Sequence, residues 1–372
     1  MIPSKRAAHN FLVAPLNWGL GHASRCMPII NELLARGKKV IIASDGRTLS
    51  LLKAEYPQLL HIELQGYQIE YGEGNWGFIL KMAKQVPYIF RQIYREYQQV
   101  QQIIRQYQID CVISDNRFGC WSGDKKVYSI FMTHQLFIKM PPTMRFAEPL
   151  LWQLNQFFIK KYDECWIPDF PDKHHNLSGS LSHCTATLPN ITQWKYIGAL
   201  SRFRKDIATN PQNAYDVLMV LSGPEPQRTH FEKLLIQQVE QLPNHFRCLL
   251  VRGITEEQHR SQSTQQLTII NYLTASELNQ AMLTARYIVA RTGYSTIMDL
   301  ATLGKKAILV PTPHQTEQEY LARHFKEKKI FYTILQKNFN LIEALKNSKQ
   351  YTGLNIKMSN NQLLVQKIDS LL

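Results

Sequence analysis

Short apolar runs alternate along the chain with segments whose apolar residues return every three or four positions, the rhythm of strands followed by helices. Phe11 to Pro15 is the first run; it ends at Asn17-Trp18-Gly19-Leu20-Gly21-His22, after which Met27, Ile30, Leu33 and Leu34 keep helical spacing as far as Gly37. Further strands are predicted at Lys39 to Ala43 and Leu59 to Leu64. From Phe78 to Gln108 the positions Ile89, Ile93, Val100, Ile103 and Ile104 suit a helix, with a break predicted near Pro87 because proline lacks the amide and crowds the preceding turn. Two clear strands, Asp110 to Ser114 and Val127 to Met132, then deliver Asp115 and Thr133-His134-Gln135 at their ends.

Residues 169 to 194 are loop-like, rich in Pro, His, Ser and Thr, and a polar stretch near 200–214 marks a boundary, after which the alternation restarts. Strands are predicted at Asp216 to Leu221, Phe246 to Val251, Leu267 to Asn271, Tyr287 to Ala290 and Ala307 to Pro311, with helices from Thr229, Ser276 and just after Gly293. Strand and helix in strict alternation imply parallel sheets, and two such series imply two α/β lobes. The division expected is an amino-terminal lobe of residues 1–205, a carboxyl-terminal lobe of 206–355, and a last helix in 356–372 packing back toward the first lobe. A length of 372 residues suits two domains of ordinary size.

Composition narrows the partners only a little. A formal charge of +14 attracts phosphorylated ligands, an anionic membrane or nucleic acid. The basic residues are dispersed and form no RNP, zinc-finger or basic-arm pattern, so no nucleic acid is expected. Six cysteines stand far apart without a CxxC pair or a zinc-like histidine spacing, which suits reduced thiols in a cytoplasmic protein and no bound metal. Asn10 interrupts the one apolar run near the start, so neither a secretory signal nor a spanning helix is expected there.

Four segments could carry chemistry. Gly19 and Gly21, between a strand and a helix, let backbone approach a ligand, and the amides of a helix start favour a phosphate or carboxylate; a plain tight turn is the competing explanation. His22 follows at once, able to act as a base or to donate to a developing charge. Ser222 and Gly223 repeat the arrangement in the second lobe. In Arg291-Thr292-Gly293-Tyr294-Ser295-Thr296 the turn suits a phosphate, and Asp299, one helical step beyond Thr296, suits a diol such as ribose, although a capped helix start has the same form. Last comes His314 to Glu319, whose amides and carboxylates are what sugar hydroxyls require, and which is equally what a solvated helix start looks like.

Together these segments resemble the carboxyl-terminal domain of family 28 glycosyltransferases, the family of the peptidoglycan lipid-intermediate N-acetylglucosaminyltransferase. The matching stretch is Ile270 to Ala322: Asn271-Tyr272-Leu273, then Arg291-x-Gly293-x-x-Thr296-x-x-Asp299, then Gly304 with Pro311, then His314-x-x-x-Gln318-Glu319-Tyr320. The resemblance implies the GT-B fold, two Rossmann-like domains with parallel sheets facing a central cleft. It implies that Tyr272 and Leu273 line a nucleobase pocket, Gly293, Ser295 and Thr296 lie under a diphosphate, Asp299 holds ribose, and His314, Gln318 and Glu319 meet the donor sugar. Ser222, Gly223, Gly19 and Gly21 would face the phosphates, and Arg291, Arg202 or Arg228 would supply charge. The family pattern usually has Glu where Asp299 stands and Gln at Glu319, and residues 40–200 depart from the peptidoglycan enzyme.

The activity implied is transfer of a hexosyl or N-acetylhexosaminyl group from a UDP-sugar to an acceptor hydroxyl with inversion, without metal or other cofactor. His22, Asp115 and His134, on loops after strands of the first lobe, are the candidate bases. The acceptor expected is a lipid-linked or cell-envelope glycan, reached at the inner face of a membrane. The aromatic and basic segment Trp76 to Tyr107 suits peripheral contact with anionic lipid or an ordinary solvated surface. Two other classes compete: a nucleotide-sugar epimerase of the same fold, and a non-catalytic protein that binds sugar or nucleic acid.

Overall fold

The computed structural model describes residues 8–66, 75–172, 175–183, 193–207, 215–254, 261–354 and 361–372; the side chains of 75–84, 142, 261 and 262 lie outside that description. In the first lobe the strands are β1 (Asn10–Pro15), β2 (Lys39–Ser44), β3 (Leu60–Glu63), β4 (Cys111–Asp115), β5 (Tyr128–Met132), β6 (Glu164–Ile167) and β7 (Trp194–Tyr196). Its helices are α1 (Leu20–Ala35), α2 (Gly46–Glu55), α3 (Asn75–Tyr107) and α4 (Glu148–Ile159). The second lobe holds β8 (Val217–Val220), β9 (Cys248–Val251), β10 (Ser261–Ser263), β11 (Leu267–Ile270), β12 (Tyr287–Arg291), β13 (Ile308–Val310) and β14 (Tyr332–Thr333). With them come α5 (Gln227–Val239), α6 (Ala275–Thr284), α7 (Tyr294–Leu303), α8 (Thr316–Glu327), α9 (Leu341–Asn347) and α10 (Gln362–Asp369).

The first sheet runs β3-β2-β1-β4-β5-β6-β7, all parallel, and the second runs β10-β11-β9-β8-β12-β13-β14, parallel except for the antiparallel edge strand β10. Helices on both faces bury these sheets twice over, which is why their strands read as continuous apolar runs. In β1, Phe11 and Val13 join one apolar cluster while Leu12 and Ala14 join another on the opposite face, the alternation that a pleated strand imposes. The larger cluster does not stop at the first lobe: it continues through Tyr294, Ile297 and Met298 of α7 to Leu321 and Phe325 of α8.

Strand order fixes where ligands can enter. In each sheet the order reverses beside the first strand of the lobe, between β1 and β4 and between β8 and β12, and the loops leaving these pairs diverge to open a crevice. Pro15 pairs with Asp115 across the first reversal and Val220 with Ala290 across the second, so the glycine loops 19–21, 222–223 and 293 all sit at such crevices. Of the stretch 200–214 where the boundary is expected, residues 208–214 lie outside the described residues. After them the chain completes the second lobe and returns, with α10 against α1: Arg36 Nε donates to Asp369 at 2.8 Å and Lys367 Nζ to Glu164 at 2.8 Å.

Two expectations change. The helix predicted to break near Pro87 runs unbroken from Asn75 to Tyr107; Pro87 is exposed there, where water can serve the carbonyl that loses its donor. The pattern also left unread α4 and β6, which extend the first sheet beyond β5. Among the described cysteines, Cys26, Cys120, Cys165 and Cys248 are free and buried, and Cys111 is buried as well; Cys184 lies outside the described residues. No helix among the described residues is long and apolar enough to cross a membrane.

Candidate active site

Asp115 closes β4 and is wholly buried beside the start of α1. His22, in the first turn of that helix, has Nδ1 3.0 Å from Asp115 Oδ2, and Arg25, three residues on and therefore on the same helix face, donates Nε to Oδ2 at 2.7 Å and Nη2 to Oδ1. Burial alone would raise the Asp115 carboxyl, but Arg25 and His22 overrule it and hold it at about 2. Burial, then Arg25, lowers His22 below its ordinary value, so at neutral pH its imidazole is uncharged. Among the described residues nothing hydrogen-bonds to His22 Nε2.

The network continues toward the second lobe. Arg25 Nη1 lies 3.1 Å from His134 Nδ1, and since a guanidinium only donates, that nitrogen accepts; the ring proton is on Nε2, which donates to Glu317 Oε1 at 2.9 Å. Gln135 donates to the other Glu317 oxygen. Tyr294 lies flat on the His134 ring with centroids 4.0 Å apart, and its hydroxyl donates to Pro168 O at 2.7 Å. Two of the three candidate bases are thereby corrected. Asp115 has both oxygens engaged and no exposed surface, and His134 has both nitrogens engaged beneath Tyr294, so neither can touch an acceptor.

Facing His22 across the crevice is the start of α7. Gly293 precedes the helix and no side chain caps it, which leaves its first amides directed at the loop of the first lobe. Ser295 Oγ donates to Gly21 O at 3.0 Å, and a Cβ on Gly21 would fall 2.6 Å from that oxygen, so only glycine permits this approach. Thr296 and Gly293 remain partly exposed beside it. One turn further, Asp299 is buried, and its Oδ1 accepts from Ser201 Oγ at 2.5 Å. Burial raises its carboxyl to about 6, against the opposing pull of Arg202 and Ser201. Arg202 leans on Phe203 at 5.1 Å, and its Nε and Nη1 are buried without a partner among the described residues. Tyr272 donates its hydroxyl to Glu55 of the first lobe at 2.9 Å, the same carboxylate oxygen that takes the Ala275 amide at 3.2 Å, while Leu273 packs on the core.

The third group lines the far wall. Ser222 and Gly223 leave β8 with Gly223 at φ +103°, a left-handed turn in which an added Cβ would stand 3.7 Å from Thr312 Oγ1. The hydroxyls of Thr312 and Thr292 are buried there without a partner among the described residues. Four expected contacts, those of Arg291, Gln318, Glu319 and Arg228, are corrected here. Arg291 is wholly buried over the Phe231 ring at 4.0 Å and donates to the carbonyls of Gln227 at 3.0 Å, Pro311 at 3.3 Å and Val310 at 3.4 Å. Burial lowers it to about 10, and it braces two loops instead of reaching a diphosphate. Gln318 is buried with Oε1 on the Thr312 amide at 2.9 Å, and Glu319 Oε1 takes the His314 amide at 3.1 Å, so both shape the loop after β13. His314 itself is exposed, at φ +66°. Arg228 is neutralised between Glu225 and Glu232.

Residues 217–370 match the model of the Glycosyltransferase family 28 C-terminal domain. The second lobe is similar to the carboxyl-terminal domain of family 28 glycosyltransferases over those residues. Along 323 residues the chain is 24% identical to an uncharacterized glycosyltransferase of Methanosarcina acetivorans, covering 81% of this chain and 77% of that protein. Its fold is GT-B. A putative UDP-N-acetylglucosamine 2-epimerase from Listeria monocytogenes superposes with a TM-score of 0.60 at 12% identity, covering 96% of this chain and 94% of that one. Acinetobacter baumannii MurG superposes with a TM-score of 0.53 at 15% identity, covering 98% and 99%.

Against the family 28 domain, the residues that the sequence did not single out are Arg25, Glu317, Tyr294, Ser201 and Glu55. Arg25 had a usable signal, its three-residue spacing from His22. Glu317 lay within the 314–319 cluster, but which member of a polar run crosses to the other lobe depends on how α8 is rotated. Ser201 and Glu55 carry no local signal.

Proposed function

We propose that this glycosyltransferase moves a hexosyl or N-acetylhexosaminyl group from a UDP-sugar to an acceptor hydroxyl, with inversion at the anomeric carbon. The observation that carries the reading is the uncapped start of α7 held against the His22 loop by Ser295 and Gly21, one face suited to a diphosphate and the other to a base. His22 Nε2 takes the proton of the acceptor hydroxyl, whose oxygen attacks the anomeric carbon. The bond to the diphosphate oxygen breaks with its electron pair, and the departing charge meets the α7 amides and the hydroxyls of Thr296, Thr292 and Thr312. In this reading no metal is required. Asp299, with Arg202 beside it, holds ribose; Tyr272 and Leu273 border the base; Ser222 and Gly223 line the phosphates. His314 stands nearest the sugar.

A lipid-linked or cell-envelope acceptor is supported by the outer face of the first lobe. Tyr88, Phe90, Tyr94, Phe146, Leu150 and Phe157 are exposed there on α3, α4 and the turn before α4, interleaved with exposed Arg91, Arg95, Arg145, Lys160 and Lys161. Aromatic and basic side chains in one surface suit peripheral contact with anionic lipid, and a cytoplasmic location at the inner face of a membrane follows from that reading.

Calorimetry and thermal shift with UDP, UDP-glucose and UDP-N-acetylglucosamine test the donor, since a ligand of the folded state raises its melting temperature. No shift with any nucleotide diphosphate overturns the proposal. The likeness to a putative epimerase makes one control necessary: incubation with donor alone. An epimerised nucleotide sugar in that control selects the epimerase reading, whereas transfer requires an acceptor.

A further inference from the structure

After β7 the segment Ile197 to Phe203 packs along α7. Ile197, Ala199, Leu200 and Phe203 are buried, the Leu200 amide lies 3.3 Å from Met298 Sδ, and Ser201 Oγ donates to Asp299 Oδ1 while accepting the Phe203 amide at 3.1 Å. These contacts fix the backbone on both sides of Arg202 and leave its guanidinium unengaged. Arg25, Arg228, Arg252 and Arg291 each donate to at least two acceptors. Arg202 rests on the Phe203 ring, and its Nε and Nη1 are buried with no acceptor among the described residues. A buried N–H without an acceptor is costly, and an arginine held this way is completed by an acceptor that a ligand brings. Two neighbours say which part of a ligand that is. Burial raises the Asp299 carboxyl and the Arg202 charge opposes it; burial and Glu55 raise the Tyr272 hydroxyl, and Arg202 opposes that as well. The guanidinium is thus a neighbour of both Asp299 and Tyr272.

We propose that Arg202 is a specificity-determining residue: its unpartnered N–H groups donate to the 2′-hydroxyl oxygen of the donor nucleotide while Asp299 accepts that hydroxyl's proton, so the site selects ribonucleotides over 2′-deoxyribonucleotides. The proposal rests on the reading above, in which Asp299 meets ribose and Tyr272 borders the base. Of the two ribose hydroxyls the 2′ is the one beside the carbon that carries the base, which places it where the neighbourhoods of Asp299 and Tyr272 meet. A hydroxyl both donates and accepts, and a carboxylate that can only accept answers half of that need. The guanidinium, which can only donate, answers the other half. A 2′-deoxyribose leaves both charged groups facing a C–H, and the nucleotide loses the affinity that they give.

The test is calorimetry of the full chain with UDP and with 2′-deoxy-UDP, which differ by a single oxygen. The parent is expected to bind UDP about tenfold or more tightly than 2′-deoxy-UDP, the usual effect of a hydrogen bond to charged groups. Arg202→Met should weaken UDP by a similar factor and leave 2′-deoxy-UDP within about twofold, so that the variant binds the two alike. Arg202→Lys keeps the charge and the length without the planar fork, and its preference should fall as well. Equal binding of the two nucleotides by the parent overturns the proposal without any variant, as does a folded Met or Lys variant that keeps the parent's preference. A loss shared equally by UDP and 2′-deoxy-UDP in Arg202→Met also overturns it and moves Arg202 to the diphosphate. In each of these cases UDP still binds the parent and the reading of function stands, whereas a parent that binds neither nucleotide removes that reading and the proposal together.

Discussion

At the scale of single residues, the site works by pairing groups whose environments push them in opposite directions. His22 is lowered from 6.5 by burial and by Arg25, so its unprotonated form persists into mildly acidic solution. The acid limb of kcat/KM is therefore expected below pH 6.5 and should rise toward it in Arg25→Gln, where the opposing positive charge is gone; a limb above 6.5 in the parent counts against His22. Asp299 is the converse case. A carboxyl raised by folding binds its proton more readily in the native state, so the stability linked to it is full below about 3.8 and lost as pH rises through about 6. Asp299→Asn keeps an acceptor for Ser201 and removes that loss. Its melting temperature at pH 7.5 should be no lower than the parent's, while UDP affinity measured by calorimetry falls by about tenfold or more, the usual effect of removing a charged hydrogen-bond partner.

At the scale of elements, the loop after β1 and the start of α7 are built to touch. Gly21→Ala drives a methyl group into Ser295 Oγ and should cut turnover by separating the loop from the helix; Ser295→Ala should recover part of the loss, since the nearest atom left is Ser295 Cβ at 3.3 Å. Additive effects in the double variant would show that the contact is incidental. Arg291 ties β12 to the loops at Gln227 and Pro311. Arg291→Met leaves those carbonyls without a donor and should destabilise the chain by about 1–3 kcal/mol in a urea titration. Pro87 shows how the ladder of a long helix overrules a local breaker: flanking turns keep the geometry that the proline by itself opposes.

At the scale of the molecule, the lobes meet through polar contacts at the rim of the cleft, Arg47 on Gly253 O at 2.5 Å and Tyr320 on Ser180 at 2.7 Å among them, with the shared apolar cluster beneath. Glu55 on Tyr272 and Ser201 on Asp299 occupy the groups proposed to hold the nucleoside, so a donor must displace them on entry. On the outer face, the aromatic and basic surface predicts binding to vesicles containing phosphatidylglycerol that weakens as salt is raised. Phe146 and Leu150 are 77% and 68% exposed, so Phe146→Ser with Leu150→Ser should reduce sedimentation with vesicles without lowering the melting temperature. Equal sedimentation of parent and variant would dismiss the membrane contact.

The alternation of apolar runs was enough to determine two parallel-sheet lobes, and glycine turns at strand ends were enough to locate the crevices, because burial on both sheet faces and the backbone needs of tight turns are written in local sequence. Asp115 and His134 looked like equals of His22 for the same reason: all three follow strands of one sheet. Only the packed structure ranks them, by burying Asp115 under Arg25 and His134 under Tyr294 while Nε2 of His22 stays unengaged among the described residues. Likewise Arg291, Gln318 and Glu319 carry suitable chemistry in a suitable motif, and their direction is a matter of rotation about a strand or helix axis. Which side of its own backbone a polar residue faces depends on partners hundreds of positions away, such as Glu55 for Tyr272, and no local pattern encodes that choice.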